Sequence, residues 1–280
     1  MSGPNPRRIW LCADDYGISP GVDTAIRDLI VRGRLNATSV MVVAPELNAF
    51  EAQALTALNA RQQRVAIGLH AVLSAPFRPL SAGFRPLRDG AFPQLSRLLI
   101  AAVHRRLDAS ALRREVDSQL TAFAQAFGRM PDFIDGHQHV QLFPQISEAV
   151  LAVAKTRAPN AWLRQCGRAT PLHTRFGNGK ALLLDTLSRR FRRHAMAAGM
   201  RTNSAFAGAY GFDERADFGK RFAQFLNRMP DGGLIMCHPG FVDAPLRQVD
   251  PLTTLREREY AFFAGDGFPD LLARHGLVLA

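Results

Sequence analysis

The sequence predicts a single α/β domain in which mainly parallel strands form a (β/α) barrel. Its 280 residues suit one large domain with one core. Short, continuously apolar runs alternate with longer helical patterns along the chain, which is typical of parallel strands covered by helices. Unusual polar residues follow several different apolar runs. This favours the rim of a barrel over an open, doubly wound sheet, which usually binds ligands at one switch point.

The predicted strands are short apolar runs, and the predicted helices between them have apolar residues at three- and four-residue spacing. The predicted strands are residues 9–12, 37–43, 65–69, 133–134, 161–166, 234–237 and 277–279. A helix at residues 20–32 has Ser19 as N-cap and Gly33 as C-cap, and the clearest helix spans residues 110–127, before Gly128.

Residues 73–94 interrupt this alternation, because they are rich in proline, glycine and arginine. A loop of this length in a compact domain is usually functional, so we expect an insertion above the active face. No repeat or linker divides the chain, and residues 1–280 are predicted to be one domain.

The net charge of +11 comes almost entirely from arginine, since only three of the 35 basic residues are lysines. This spread indicates a biased surface rather than a nucleic-acid site, and no nucleic-acid partner is predicted. The densest run, Arg189, Arg190, Arg192 and Arg193, lies on a predicted helix and is the best candidate for an acidic partner.

The three cysteines, Cys12, Cys166 and Cys237, lack CxxC spacing and lie in apolar runs, which favours buried thiols in a reducing compartment. The first eight residues have no apolar segment typical of a signal peptide, and no run of about 18 apolar residues occurs. We therefore expect a cytoplasmic protein without a transmembrane segment. The oligomeric state, including a homo-oligomer, stays open.

Two adjacent carboxylates, Asp14 and Asp15, follow the first predicted strand. At a strand-to-loop turn both can reach one pocket. Two close carboxylates repel each other, so such a pair indicates a bound cation or a shared proton. An ordinary solvated turn is the alternative, because aspartate is a common turn residue.

Histidines occur at the ends of three more predicted strands. His70 ends the third strand, Asp135, His137 and His139 follow the fourth, and His238 follows the late strand at 234–237. One such histidine is more typical of a core or rim position. Four of them opposite an aspartate pair predict a metal site, because zinc and similar divalent ions accept imidazole and carboxylate ligands. The other histidines, His104, His173, His194 and His275, are predicted to lie on the surface.

Five motifs together resemble the YdjC/ChbG-like carbohydrate deacetylases, a family that includes the hopanoid-associated deacetylases. The motifs are ADDYG at 13–17 followed by SPGV at 19–22, ATSVMV at 37–42, GLH at 68–70, DGHQHV at 135–140 with FP at 143–144, and MCHPG at 236–240. They occur in the family's order and span nearly the whole chain.

The resemblance implies a distorted (β/α) barrel that holds one divalent metal ion, zinc or magnesium. It implies that Asp15, His70 and His137 are the metal ligands, that Asp14 is the general base and that His238 is the acid. The implied activity is deacetylation of an N-acetylated sugar, either chitooligosaccharide-like or linked to a glycolipid.

Three further residues are candidates for substrate contact or for support of the site. Arg164, in the fifth predicted strand, either keeps Asp14 ionised or contacts substrate. His139 and Asp135 flank the proposed ligand His137 and are candidates to orient it or the substrate.

Other functions fit parts of the same pattern. A metallophosphoesterase or another amidohydrolase would use the same ligands, the former often with two metal ions. A non-enzymatic basic binding protein would use the arginines. Arg78, Arg85 and Arg88 in the insertion favour a sugar with an anionic group, because the guanidinium fork suits carboxylate and phosphate.

Overall fold

The strands form one parallel sheet that curls into a distorted barrel, which confirms the predicted fold class. The computed structural model describes residues 5–59, 65–168, 179–211 and 216–280. Within these residues the strands are β1 (Arg7–Tyr16), β2 (Ala37–Val40), β3 (Ala66–Ala71), β4 (Phe133–Gly136), β5 (Trp162–Leu163), β6 (Phe206–Ala207), β7 (Gly233–Cys237) and β8 (Leu277–Leu279). Their order is β5-β4-β3-β2-β1-β7-β6, and β8 also pairs with β1.

Helices follow most of the strands, and α1 packs on β1 while α4 packs on β3. The helices of the described residues are α1 (Pro20–Val31), α2 (Ala49–Asn59), α3 (Leu95–Val103), α4 (Ala109–Phe127), α5 (Ile146–Arg157), α6 (Gly179–Ala197), α7 (Phe218–Leu226), α8 (Ala244–Val249), α9 (Thr254–Ala264) and α10 (Gly267–Arg274), with a 3-10 helix at His137–Leu142. No helix in the described ranges is both long and apolar enough to cross a bilayer.

Strand β1 is the centre of the sheet, and two other strands share one of its edges. Its first residues pair with β8 and its last residues pair with β2, while β7 lies along the other edge. The side chain of Asn36 fills the junction, since it accepts from the amide of Leu11 at 2.8 Å and donates to the carbonyls of Ile9 and Ala280.

The two ends of the sheet approach each other at β5 and β6. One parallel bridge joins Leu163 to Thr202, and the amide of Phe206 donates to the carbonyl of Gly167 at 3.0 Å. The sheet therefore closes through isolated contacts instead of a full ladder, which is the distortion of the barrel.

The ends of α1 follow the predicted signals, with one difference. The hydroxyl of Ser19 accepts from the amide of Val22 at 3.3 Å, as expected of an N-cap. Gly33, predicted as the C-cap, lies one residue beyond the cap Arg32 and adopts a left-handed backbone with φ +67°. The amides of Gly33 and Arg34 bond to the carbonyls of Ile30 and Leu29, which is a Schellman motif.

Several strand predictions differ from the structure. Strand β1 spans Arg7–Tyr16 instead of residues 9–12, and β2 ends at Val40 instead of residue 43, where a turn closes between Met41 and Ala44. Strand β5 has two residues instead of the predicted six, and β6 was not predicted. A two-residue strand offers no period-2 pattern, so β6 carries no sequence signal.

The segment at residues 73–94 is irregular but tightly attached to α4. Buried Glu115 accepts from the amides of Leu80 and Ser81 at 3.1 and 2.8 Å, and Gln119 bonds to both backbone groups of Val72. Three phenylalanines of the segment, Phe77, Phe84 and Phe92, are buried in the core. The segment is therefore a packed part of the domain.

Candidate active site

A cavity of about 860 Å³ opens at the carboxyl ends of β1, β3, β4 and β7. Parallel strands direct their carboxyl ends to one edge of a sheet, so residues distant in sequence meet there. Its wall includes the site residues predicted from the sequence at this edge: Asp14, Asp15, His70, His137, His139 and His238. Asp135 and Arg164 are fully buried beneath that wall.

Asp15, His70 and His137 form a group of possible metal-ligand side chains at this cavity. Their ligand atoms lie within 4.8 Å of one another. The Oδ1 atom of Asp15 is 3.3 Å from Nε2 of His70 and 3.1 Å from Nδ1 of His137. One oxygen and two nitrogens thus lie close together on the cavity wall.

Asp135 fixes the imidazole of His70. The Nδ1–H group of His70 donates to Oδ1 of Asp135 at 2.6 Å, so Nε2 is the nitrogen that faces Asp15. The hydroxyl of Ser39 lies 3.0 Å from the same Nδ1. Burial lowers the pKa of His70, but the carboxylates of Asp135, Asp15 and Asp14 outweigh it and raise that pKa to about 10. This carboxylate–histidine pair is the usual support of a histidine metal ligand.

Asp15 itself is held in an unusual conformation. Its backbone is left-handed, with φ 71°, near the end of β1. Its second oxygen, Oδ2, accepts from Nη2 of Arg256 at 2.6 Å. Burial raises the pKa of Asp15, but Arg256 and the two histidines outweigh it, so the pKa lies well below its usual range and Asp15 is ionised.

Asp14, the carboxylate next to Asp15, is bound to Arg164. Both oxygens of Asp14 accept from the guanidinium of Arg164 at 2.6 Å, and Ser39 donates to Oδ1 at 3.2 Å. Burial raises the pKa of Asp14, but Arg164 outweighs it, and the pKa is lower than that of an ordinary aspartate. Asp14 is therefore a fixed, charged carboxylate beside the proposed ligand Asp15.

A second group with metal-ligand chemistry, Cys12, Asp14 and Asp135, lies directly below. Arg164 occupies its centre: Nη2 is 2.9 Å from the sulfur of Cys12 and 2.5 Å from Oδ2 of Asp135. This group already has its cation, so the described part of the chain leaves one carboxylate–imidazole group for a metal ion.

His139 follows His137 on a strained turn. Gln138 and His139 both have left-handed backbones, with φ 54° and 60°, so the strand that began at β4 does not continue to His139. Burial and the nearby charge of Arg164 lower the pKa of His139 to about 3. His139 is thus a neutral imidazole on the cavity wall, 3.6 Å from the sulfur of Cys166.

His238 immediately follows β7, on the cavity wall near Tyr210. The amide of His238 donates to Oε2 of Glu259 at 2.6 Å, and the hydroxyl of Tyr210 donates to Oε1 at 2.5 Å. Burial raises the pKa of Glu259. Glu259 therefore joins the backbone of His238 to the ring of Tyr210 and fixes this side of the cavity.

The site also contains residues that were not predicted from the sequence, among them Ser39, Tyr210, Arg247, Asp250, Arg256 and Glu259. Ser39 lies inside the ATSVMV motif, which gave it an indirect signal. Arg256 and Glu259 lie in a helix rich in charged residues, where a buried site residue looks like a solvated one. Only the three-dimensional fold brings them to the cavity.

The insertion contributes Ala75, Pro76 and Gln94 to the cavity wall. Its arginines, Arg78, Arg85 and Arg88, are exposed and are not part of that wall. The cationic residues that do line it are Arg247 and Arg256.

The four arginines of α6, 189, 190, 192 and 193, are exposed and lie away from the site. All three cysteines are buried and free, and Cys12 and Cys166 contact Arg164 and His139 beneath the cavity wall. His104 and His194 are exposed and His275 is half-buried, while His173 lies outside the described residues.

The donor set fits a divalent metal ion. It offers one ionised carboxylate oxygen and two imidazole nitrogens from three elements, with Asp135 holding the far side of His70. Three protein ligands of this kind are typical of catalytic sites, which keep a further position open. Fold and site together define a (β/α)-barrel protein with a candidate metal-binding active site at the carboxyl edge of its strands.

The chain belongs to the YdjC-like protein family, whose model matches residues 8–274. It is 29% identical over 245 residues to the chitooligosaccharide deacetylase of Serratia marcescens, a match that covers 84% of this chain and 83% of the relative. It also resembles a crystal structure from Enterococcus faecalis, provisionally described as a cellobiose-phosphate cleavage protein. That likeness has a TM-score of 0.72 at 20% identity, covers 99% and 97% of the two chains, and shows the shared fold.

Proposed function

We propose that the chain is a metal-dependent carbohydrate deacetylase that removes the acetyl group from an N-acetylated sugar. The observation that carries the proposal is the meeting of Asp15, His70 and His137 in one cavity, with Asp14 and His238 on the same wall. The similarity to a chitooligosaccharide deacetylase supports the sugar as the substrate class.

Asp15, His70 and His137 would hold the metal, zinc or magnesium, since a mixed oxygen and nitrogen site admits either. When bound, the metal supplies Lewis-acid chemistry, which polarises an amide carbonyl and makes water more acidic. The chain's own part in this is to keep Asp15 ionised and Nε2 of His70 directed at the site.

Asp14 is proposed to accept the proton of the attacking water. It lies on the cavity wall next to a proposed ligand, and a carboxylate oxygen can accept a further hydrogen bond besides those from Arg164. Arg164 keeps Asp14 charged and fixed in direction, so the base needs no reorientation during the reaction.

His238 is proposed to give a proton to the nitrogen of the departing sugar amine. It lies on the same cavity wall, and Glu259 holds its backbone amide. Loss of the acetyl group then leaves acetate and a free sugar amine, with one proton taken at Asp14 and one given at His238.

The cavity can take a sugar with room for substituents, so a chitooligosaccharide-like or glycolipid-linked substrate fits by size. The arginines of the insertion do not line the cavity. We propose instead that Arg247, which is exposed on the cavity wall, binds an anionic group on the sugar. If that proposal is right, Arg247→Ala lowers kcat/KM for an anionic substrate and leaves a neutral one unchanged.

The structure offers less to the rival functions. A two-metal phosphoesterase needs a second cation site, and the second acidic group surrounds Arg164. A non-enzymatic binding protein has no use for a buried carboxylate–imidazole group.

The test is acetate release from N,N′-diacetylchitobiose and longer N-acetylated oligomers by protein treated with chelator and then reloaded with zinc or magnesium. Activity that returns with metal and disappears in Asp14→Asn supports the proposal. A reloaded wild-type protein that binds metal but releases no acetate from any N-acetylated sugar or glycolipid would overturn it.

A further inference from the structure

Arg256 is a fully buried arginine at the edge of the proposed metal site. It lies on the first turn of α9, separated from Asp15 by 241 positions in the chain. Its Nη2 donates to Oδ2 of Asp15 at 2.6 Å and also to Oδ2 of Asp250, and its Nε donates to the carbonyl of Leu252 at 3.0 Å. One guanidinium thus joins a strand-end carboxylate to the loop that precedes α9.

These contacts decide which oxygen of Asp15 is available. Oδ2 is bound to Arg256, whereas Oδ1 faces His70 and His137. A free aspartate could rotate and present either oxygen or both. Here a charge-assisted hydrogen bond on one side holds the other oxygen at the meeting point of the two imidazoles.

Arg256 is itself held on two sides. Asp250 and the Leu252 carbonyl contact different nitrogens of its guanidinium, and both residues also line the cavity. The arginine is therefore part of the cavity wall and is fixed in direction before any ligand enters.

We infer that Arg256 is a positioning residue that sets Asp15 as a one-oxygen ligand, and that Asp250 in turn positions Arg256. This inference rests on the proposed metal site formed by Asp15, His70 and His137. The sequence gives Arg256 no signal, and its role follows from contacts alone.

A purely electrostatic role predicts the opposite result for the metal. A positive charge beside a divalent cation repels it, so an arginine that merely balanced charge would weaken metal binding, and its removal would strengthen it. A positioning role predicts weaker binding when the geometry is lost, even if the charge stays.

Arg256→Lys separates these two roles because it keeps the charge but shortens the reach and removes the Nε contact to Leu252. We expect zinc to bind roughly tenfold or more weakly, in the range found for residues that support metal ligands. Asp250→Glu, which keeps the negative charge but displaces the carboxylate from Arg256, should weaken zinc binding by a smaller factor in the same direction.

The experiment is a calorimetric titration of the chelator-treated full chain with zinc, for the wild type, Arg256→Lys, Arg256→Met and Asp250→Glu. Arg27→Lys is the matched control, since Arg27 is a mostly buried arginine paired with Glu51 away from the cavity. Circular dichroism and thermal unfolding of each apoprotein verify folding, and Asp250→Glu, which leaves the charge unchanged, keeps the test decisive if the Arg256 variants do not fold.

Weaker zinc binding in Arg256→Lys and Asp250→Glu, with Arg27→Lys unchanged, supports the inference. Wild-type zinc affinity in Arg256→Lys, or tighter binding in Arg256→Met, overturns it while leaving the proposed function intact. A wild-type chain that binds neither zinc nor magnesium refutes the metal site itself and the proposed function with it.

Discussion

Asp23 should make the stability of the protein depend on pH in a direction unusual for a carboxylate. It is fully buried on α1, its Oδ1 accepts from the amide of Gly17 at 2.6 Å, and its Oδ2 has no hydrogen-bond partner among the described residues. Burial, helped by the nearby Asp243 and Glu46, outweighs the favourable groups and raises the pKa of Asp23 from 3.8 to about 7.

The raised pKa of Asp23 determines whether the stability of the protein rises or falls with pH. In the unfolded chain Asp23 ionises near its ordinary pKa, while in the folded protein it stays protonated up to about pH 7. The folded state therefore binds the proton more tightly, and its stability is fully present below the lower pKa and falls as the pH rises through the higher one. At about 1.4 kcal/mol per pKa unit, the loss through Asp23 alone is about 4 kcal/mol.

Asp23→Asn removes this loss because an amide does not ionise and its oxygen can still accept from Gly17. The free energy of unfolding, measured with urea, should differ between variant and wild type by about 4 kcal/mol more at pH ~8 than at pH ~4, in favour of the variant. All other titrating groups occur in both proteins and cancel in this difference. A difference that stays constant with pH would refute the reasoning.

Three further predictions concern the site and its frame. Asp15→Asn should lose bound metal and activity together, whereas Asp14→Asn should keep the metal and lose at least about 100-fold in kcat; metal loss in the Asp14 variant alone would reverse the roles. Because the pKa of His70 is raised to about 10, metal uptake near neutral pH should release a proton. The heat of metal binding measured by calorimetry should then depend on the buffer, and a buffer-independent heat would contradict this prediction. Gly68→Ala places a Cβ into the phenyl ring of the first residue of β4 and should cost about 2 kcal/mol of unfolding free energy. Gly267→Ala, whose added Cβ has no described atom within 4 Å, should cost little.

The sequence placed candidate residues together where they follow the predicted strands. Asp14, His70 and His137 come at or just after apolar runs, and parallel strands bring their carboxyl ends to one edge, so the sequence order already implied proximity. The β-strands also carry their own signal, since runs such as β7 are continuously apolar. This local information was enough for the fold class and for the proximity of these residues, whereas their roles came from the family resemblance and stay predictions.

What escaped prediction depends on tertiary contacts. Arg256 and Glu259 lie in α9, whose first half contains several charged residues. Nothing in the local sequence distinguishes the buried arginine from an exposed one. The arginines of the insertion show the converse, because their density suggested a binding role and Arg85 and Arg88 proved to be exposed away from the cavity. Composition indicates which groups are available, and only packing decides which are used.

The shared edge of β1 has a consequence for how the protein is made. The first strand obtains its neighbours from residues 37–40, 233–237 and 277–279, and Asp15 obtains its arginine from position 256. During synthesis β1 leaves the ribosome early but cannot complete its ladder until the last strand is available, because these contacts are far apart in the chain. The carboxylate pair therefore stays without its full set of partners for most of translation. A chain truncated before α9 should accumulate with the proposed metal ligands His70 and His137 present and the site unassembled.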